Sequence, residues 1–217
     1  LNADELKNEK FLAYLTRVEG GQEHYKAETG RWMPYKDPAG KWTIGTGHLI
    51  GDGKSGPGKF KDGITETQRV QLLAVDEKKH RAIARSVVGS KQFDKLDKRR
   101  QDMLTDIAFN GGLHNFPNFK DAVMTGDERT MSLEHHRFMT RESTGKKVPL
   151  VRNQEFAKHF GLPWVGAWDA KRIIMEEAST PEPTPTPSRI TLLSSRIPAK
   201  KSILGRELDV PAMASSK

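Results

Sequence analysis

Tyr35-Lys36-Asp37-Pro38-Ala39-Gly40-Lys41-Trp42-Thr43-Ile44-Gly45-Thr46-Gly47-His48-Leu49 is the most informative stretch of the chain. Asp37-Pro38-Ala39-Gly40 reads as a turn, since proline presets φ and glycine accepts left-handed backbone. Lys41-Trp42-Thr43-Ile44 is a short extended run. The surrounding residues 21–63 are rich in glycine and carry Tyr25, Trp32, Tyr35, Trp42 and Phe60. That composition predicts a small twisted sheet of hairpins.

Outward from this sheet the periodicity becomes helical. Phe11, Leu12, Leu15 and Val18 mark an amphipathic helix, with Asn2 and Glu5 as its capping box and Gly20-Gly21 as its end. Thr65-Glu66-Thr67-Gln68 is a second capping box, opening a helix with Val70, Leu73, Ile83 and Val87 that stops at Gly89. Phe93, Leu96, Met103, Leu104, Ile107 and Ala108 mark a third, halted by Gly111-Gly112. Shorter helices are expected at 118–125, 128–140, 150–160 and 167–178, with starts at Asn118, Asp127 and Pro149. The fold class is therefore α+β: a small lobe with a short antiparallel sheet beside a larger all-helical lobe. A cleft between two lobes is the expected place for a ligand.

Composition narrows the chemistry. The chain has 217 residues and no cysteine, which excludes disulfides, Cys-based zinc sites and a thiol nucleophile. No run approaches the roughly 20 apolar residues that cross a bilayer. Leu1-Asn2-Ala3-Asp4-Glu5-Leu6-Lys7 has no signal-peptide features, and the missing initiator Met reads as processing or a fragment. The net charge is +8, of which residues 179–217 hold +3. A basic body suits a polyanionic partner, but no Lys/Arg block interleaved with aromatics indicates a nucleic-acid surface.

The sharpest compositional break is Ser179-Thr180-Pro181-Glu182-Pro183-Thr184-Pro185-Thr186-Pro187-Ser188. Alternate prolines favour a semi-rigid polyproline II linker. Arg189–Lys217 mixes Leu192-Leu193 and Ile203-Leu204 with Ser, Lys and Pro, and is too small to bury a core of its own. The expected organisation is a domain over 1–178, a linker over 179–188 and an extended tail over 189–217. The tail is read as a docking segment for a protein partner; packing on its own body is the alternative.

Three polar residues bracket the cleft. Glu19 precedes the Gly-Gly stop beside Val18, and desolvation there is expected to raise its pKa and keep it protonated. Asp37, in a wetter loop, is expected to stay ionised, and Thr43 sits on the next strand. Two carboxyl groups with pKa values pushed apart make the acid and base of glycoside hydrolysis. Each also has an ordinary reading: Glu19 as a surface acid at a helix end, though the dipole disfavours it there, and Asp37 as a turn residue. His135-His136 lacks metal-ligand spacing and reads as a solvated helix face, so no metal is expected.

Val18-Glu19-Gly20 followed by the Tyr-x-Asp-x-x-Gly-x-x-Thr-x-Gly-x-Gly-His frame over 35–48 resembles the phage-type lysozymes, glycoside hydrolase family 24. Met103-Leu104-Thr105-Asp106-Ile107-Ala108-Phe109-Asn110-Gly111 is similar to that family's central buried helix. Pro149-Leu150-Val151-Arg152 with Phe160 is similar to its late Arg-bearing helix. The resemblance spans residues 5–175 and implies a lysozyme-like fold and a muramidase without cofactor. Its substrate would be the peptidoglycan β-1,4 bond between N-acetylmuramic acid and N-acetylglucosamine. By the resemblance Glu19 is the general acid, Asp37 activates or orients water, and Thr43 helps hold that water, giving inversion. Leu49 and Phe109 would line the sugar cleft, with core packing an equal reading for Phe109. His48 would be structural. Arg152 would pair with Glu19, lowering its pKa against the desolvation, and the sequence leaves open which effect wins.

Seventeen residues separate Glu19 from Asp37, a longer spacing than the family's. The extra segment, Lys26–Pro34, is expected to bulge and widen or cover one end of the cleft, with Arg31 and Trp32 as contacts for wall polymer. The linker and tail favour a lysozyme carried in the phage virion, on the tail or among ejected proteins, and acting in the host periplasm. The alternatives are an endolysin in the host cytoplasm and a wall-binding virion protein weakened by the insertion. No membrane insertion is expected. A lytic transglycosylase outcome is disfavoured by the Asp37–Thr43 water site.

Overall fold

A computed structural model describes residues 3–37, 39–110, 112–141 and 144–179, with the side chains of 3–7 and 110 left undescribed. The Asn2 cap, Gly111, the linker beyond Ser179 and the 189–217 tail lie outside the described residues. The chain divides into two units, Leu1–Thr180 and Pro181–Lys217. The first is mostly helical with small antiparallel sheets, a lysozyme-like α+β fold.

Helix α1 (Ala3–Glu19) buries Phe11, Tyr14 and Leu15 and ends where Gly20 and Gly21 take φ of 71° and 88°. Glu19 is thus its last residue. Strands β3 (Tyr35–Lys36), β4 (Trp42–Ile44) and β5 (His48–Leu49) form the expected antiparallel sheet, once β1 (Tyr25–Lys26) and β2 (Arg31–Trp32) have made a hairpin of their own. Trp32, Ile44, Ile50 and Ile64 make the small lobe's core.

The inserted segment is anchored in the core at Trp32, while residues 25–30 are exposed. Tyr25 pairs with Trp32, and Trp32 exchanges backbone hydrogen bonds of 2.9 Å with Ile64 in both directions. The Trp32 side chain is buried, its indole N–H donates to Glu66 at 2.7 Å, and the Arg69 guanidinium lies over its ring. Arg31 donates to the Gly63 carbonyl. An indole with both face and N–H engaged in the core offers no platform to a sugar.

Helix α2 (Glu66–Val88) opens with the Thr65–Gln68 capping box. Its buried stripe is Arg69, Leu73, Glu77 and Ala84, while Val70, Ile83 and Val87 are exposed. The apolar spacing misled because the two buried charges are paired, Arg69 with Glu66 and Glu77 with Arg81. The single expected helix from Phe93 is two, α3 (Ser90–Phe93) and α4 (Lys98–Asn110). Asp97 restarts the chain by accepting the Arg100 N–H at 3.0 Å.

Central α4 buries Met103 through Ala108. Helix α5 (Pro117–Thr125) starts at proline rather than Asn118, and α6 (Glu128–Glu134) is capped by Asp127 as expected. The helix expected to run to 140 stops at Glu134, and β6 (Phe138–Thr140) pairs with β7 (Lys147–Pro149) in an unforeseen hairpin. Pro149 therefore closes a strand rather than opening a helix. Helices α7 (Arg152–Phe160) and α8 (Ala167–Ser179) complete the unit. Among the described residues no helix is long and apolar enough to cross a membrane.

Candidate active site

The end of α1 places Glu19 between two depressions. One, of about 210 Å³, has Thr46, Gly47, Leu49, His80 and Phe109 in its wall. The other, of about 520 Å³, is bounded by the β6–β7 hairpin and the start of α7. Gly47 sits beneath the carboxylate: at its φ of 77° an added Cβ would lie 4.0 Å from Glu19 Oε2. Gly21 lets α1 turn into the small lobe, because a Cβ there would collide with the Gly45 carbonyl.

A chain of buried charges holds Glu19. Arg152 Nη1 donates to Glu19 Oε1 at 2.9 Å, and its Nη2 donates to Asp106 Oδ1 at 2.7 Å. Arg137 Nη1 donates to the other Asp106 oxygen at 2.6 Å. The fully buried Asp106 carboxylate thus faces two guanidiniums, which is how such a charge survives burial. Burial alone would raise the Asp106 pKa, but Arg137 and Arg152 hold it below the ordinary value. Burial likewise works to lower that of Arg152, and Asp106 and Glu19 reverse it, so Arg152 stays charged. Burial first, then the charge of Asp106, push the Tyr14 phenol well above the usual range.

Asp37 starts the β3–β4 turn. Its Oδ1 accepts the N–H groups of Ala39 at 2.9 Å and Lys41 at 2.8 Å, while Oδ2 has no hydrogen-bond partner among the described residues. Thr43 is buried on β4, and its hydroxyl donates to the Lys41 carbonyl at 3.1 Å. Both side chains thus close on the Lys41 backbone. Thr43 faces Leu49 and Tyr35 in the register of the sheet. Burial first, then the charges of Glu23, Asp37 and Glu19, raise the Tyr35 pKa.

Leu49 and Phe109 share the smaller depression with Glu19, whereas Asp37 and Thr43 are outside its lining. His48 Nδ1 lies 2.8 Å from Asp76 Oδ2, tying β5 to α2. Asp106, Arg137 and Asp76 escaped the sequence reading. For Asp106 the signal was an acid inside the mostly apolar run Met103–Ala108, which burial obliges to find a partner. His135 and His136 are not on a solvated face. The chain leaves α6 before them and runs inward, where His135 stacks on Phe156 at 5.1 Å.

A family model described as Phage lysozyme matches residues 25–155, more than half of the chain. The span includes Asp37, Thr43, Leu49, Phe109 and Arg152 and begins just after Glu19. Among solved structures, an endolysin from Escherichia coli O157:H7 phage FAHEc1 is similar in fold, with a TM-score of 0.50 and 23% identity. That likeness covers 70% of this chain and 88% of the endolysin. Among curated proteins there is no match.

Proposed function

The chain belongs to the phage lysozyme family, and on that premise we propose that this muramidase cleaves peptidoglycan by inverting acid–base hydrolysis with Glu19, Asp37 and Thr43. Glu19 gives its proton to the glycosidic oxygen, so the leaving sugar departs as a neutral alcohol. Asp37 takes a proton from a water that attacks the anomeric carbon from the opposite face, and the Thr43 hydroxyl helps hold that water. Solvent exchange then restores both carboxyl groups.

The observation that carries this reading is the Glu19 carboxyl, which borders a cleft-sized depression while Arg152 grips one of its oxygens. The unbonded Asp37 Oδ2 supports the role of base. Clearing of chloroform-treated Gram-negative cells by the wild type, and its loss by at least about a hundredfold in Glu19→Gln and Asp37→Asn, is the expected result. Equal clearing by Glu19→Gln would refute the assignment.

The setting we infer is the virion, with the enzyme opening the wall locally during entry. The Pro/Thr-rich run from 179 and the basic segment 189–217, with its apolar pairs, support a docking role for that part of the chain. Mass spectrometry of purified particles tests this. Absence of the protein from them leaves a lysis enzyme that accumulates in the host cytoplasm.

A further inference from the structure

His80 lies in the same depression as Glu19, on α2, and no step of the proposed hydrolysis uses it. Its ring stacks on Phe109 with centroids 4.0 Å apart and planes 22° from parallel. Its Nδ1 lies 2.8 Å from the backbone carbonyl of Asp76. A carbonyl oxygen only accepts, so Nδ1 carries the hydrogen and the neutral ring presents Nε2 as an acceptor. Nε2 has no partner among the described residues. Of the nearby Asp76 carboxylate, Oδ2 is engaged by His48 at 2.8 Å.

We propose that His80 is a substrate-binding residue whose Nε2 accepts a hydrogen bond from the acetamido N–H of the sugar seated beside Glu19. This rests on the muramidase reading and deepens it. The depression sets this pre-oriented acceptor next to two apolar side chains, Leu49 and Phe109, with Glu19, Thr46, Asp76 and Lys79 as the rest of its polar lining. Among the groups on a peptidoglycan sugar, a hydroxyl both donates and accepts but carries no methyl. The acetamido group joins a donor to a methyl, which matches an acceptor flanked by apolar surface. The ring orientation is fixed in advance by the stack and by the Asp76 carbonyl, so little freedom is lost when the sugar arrives.

Substitution by phenylalanine keeps the aromatic stack and removes the acceptor. On purified peptidoglycan His80→Phe should raise KM about tenfold, the value of one hydrogen bond, with kcat within about twofold of wild type. His80→Gln, which retains an acceptor, should recover most of that loss. As competitive inhibitors, chitotetraose should weaken about tenfold in His80→Phe, whereas cellotetraose, with hydroxyls in place of acetamido groups, should not change. An unchanged KM in His80→Phe, or an equal loss for both oligosaccharides, would overturn the proposal, as would failure of chitotetraose to inhibit at all. A wild type that leaves peptidoglycan intact overturns the muramidase reading instead, so the two failures are distinct.

Discussion

Arg152 joins Glu19 to Asp106, donating one guanidinium nitrogen to each at 2.9 and 2.7 Å. Asp106 is fully buried, so its charge depends on this arginine and on Arg137. Asp106→Asn leaves two guanidiniums facing a neutral amide in the core, and should cost about 3–5 kcal/mol. For a domain of this size that is a fall in Tm of about 10 °C or more. Thermal unfolding by circular dichroism checks it; a change below about 1 kcal/mol would mean that the charges are solvated after all.

Arg152→Lys separates positioning from stability. Lysine keeps the charge but loses the planar fork that spans both carboxylates. Clearing activity should fall further than the loss of folded protein explains, with kcat reduced more than KM is raised. Steady-state kinetics at a temperature where both proteins are fully folded supply the comparison.

Trp32 decides what the inserted segment does. Its side chain is only 4% exposed and donates to Glu66. Trp32→Ala should destabilise by about 3–5 kcal/mol through the cavity and the orphaned partner. Lys26→Ala, exposed on the same hairpin, should lie within about 0.5 kcal/mol of wild type. Binding to isolated cell walls, measured by sedimentation below the unfolding temperature, should be unchanged in Trp32→Ala; a loss there would restore the sugar platform.

The fold was legible where one short segment decides its own conformation. The turn at Asp37, the capping box at Thr65, the glycine stop after Glu19 and the cap at Asp127 are all local, and each is present. Where distant partners decide, the sequence was silent or misled. Arg152 and Asp106 are 46 residues apart, and His48 and Asp76 are 28 apart, with no periodicity that couples them. Phe138 and Met139 continue an apolar pattern that reads as helix, and only pairing with Pro149 and Val148 makes it a strand. Arg69 and Glu77 look like surface residues on α2 because charge masks a buried stripe.

Thr43 tests the water site directly. Its backbone is fixed by pairing with both Tyr35 and Leu49, so a longer side chain projects from a rigid strand. Thr43→Glu should put a nucleophilic carboxylate where the attacking water is held, and trap a covalent sugar. Intact-protein mass spectrometry after exposure to peptidoglycan should show the adduct. An unmodified mass, with the variant folded, would remove Thr43 from the water site.

The buried pair His135 and His136 should make stability fall in mild acid. Burial lowers their pKa values to about 4 and about 3, from the 6.5 of a free imidazole. Arg137, beside both, adds to the shift, and the carbonyls of Met131 and Asn153 oppose it for His135. Below pH 6.5 the unfolded chain takes up protons that the folded chain refuses, so stability rises with pH across this window and is lost as pH falls. The loss should continue down to about pH 4, where Asp106, held below its usual value, begins to add its own. Tm measured between about pH 7.5 and about pH 4.5 should therefore decline steadily, and His136→Gln should flatten the slope by about a third, because burial also lowers the pKa of His159. An identical slope in that variant would assign the acid sensitivity to other groups.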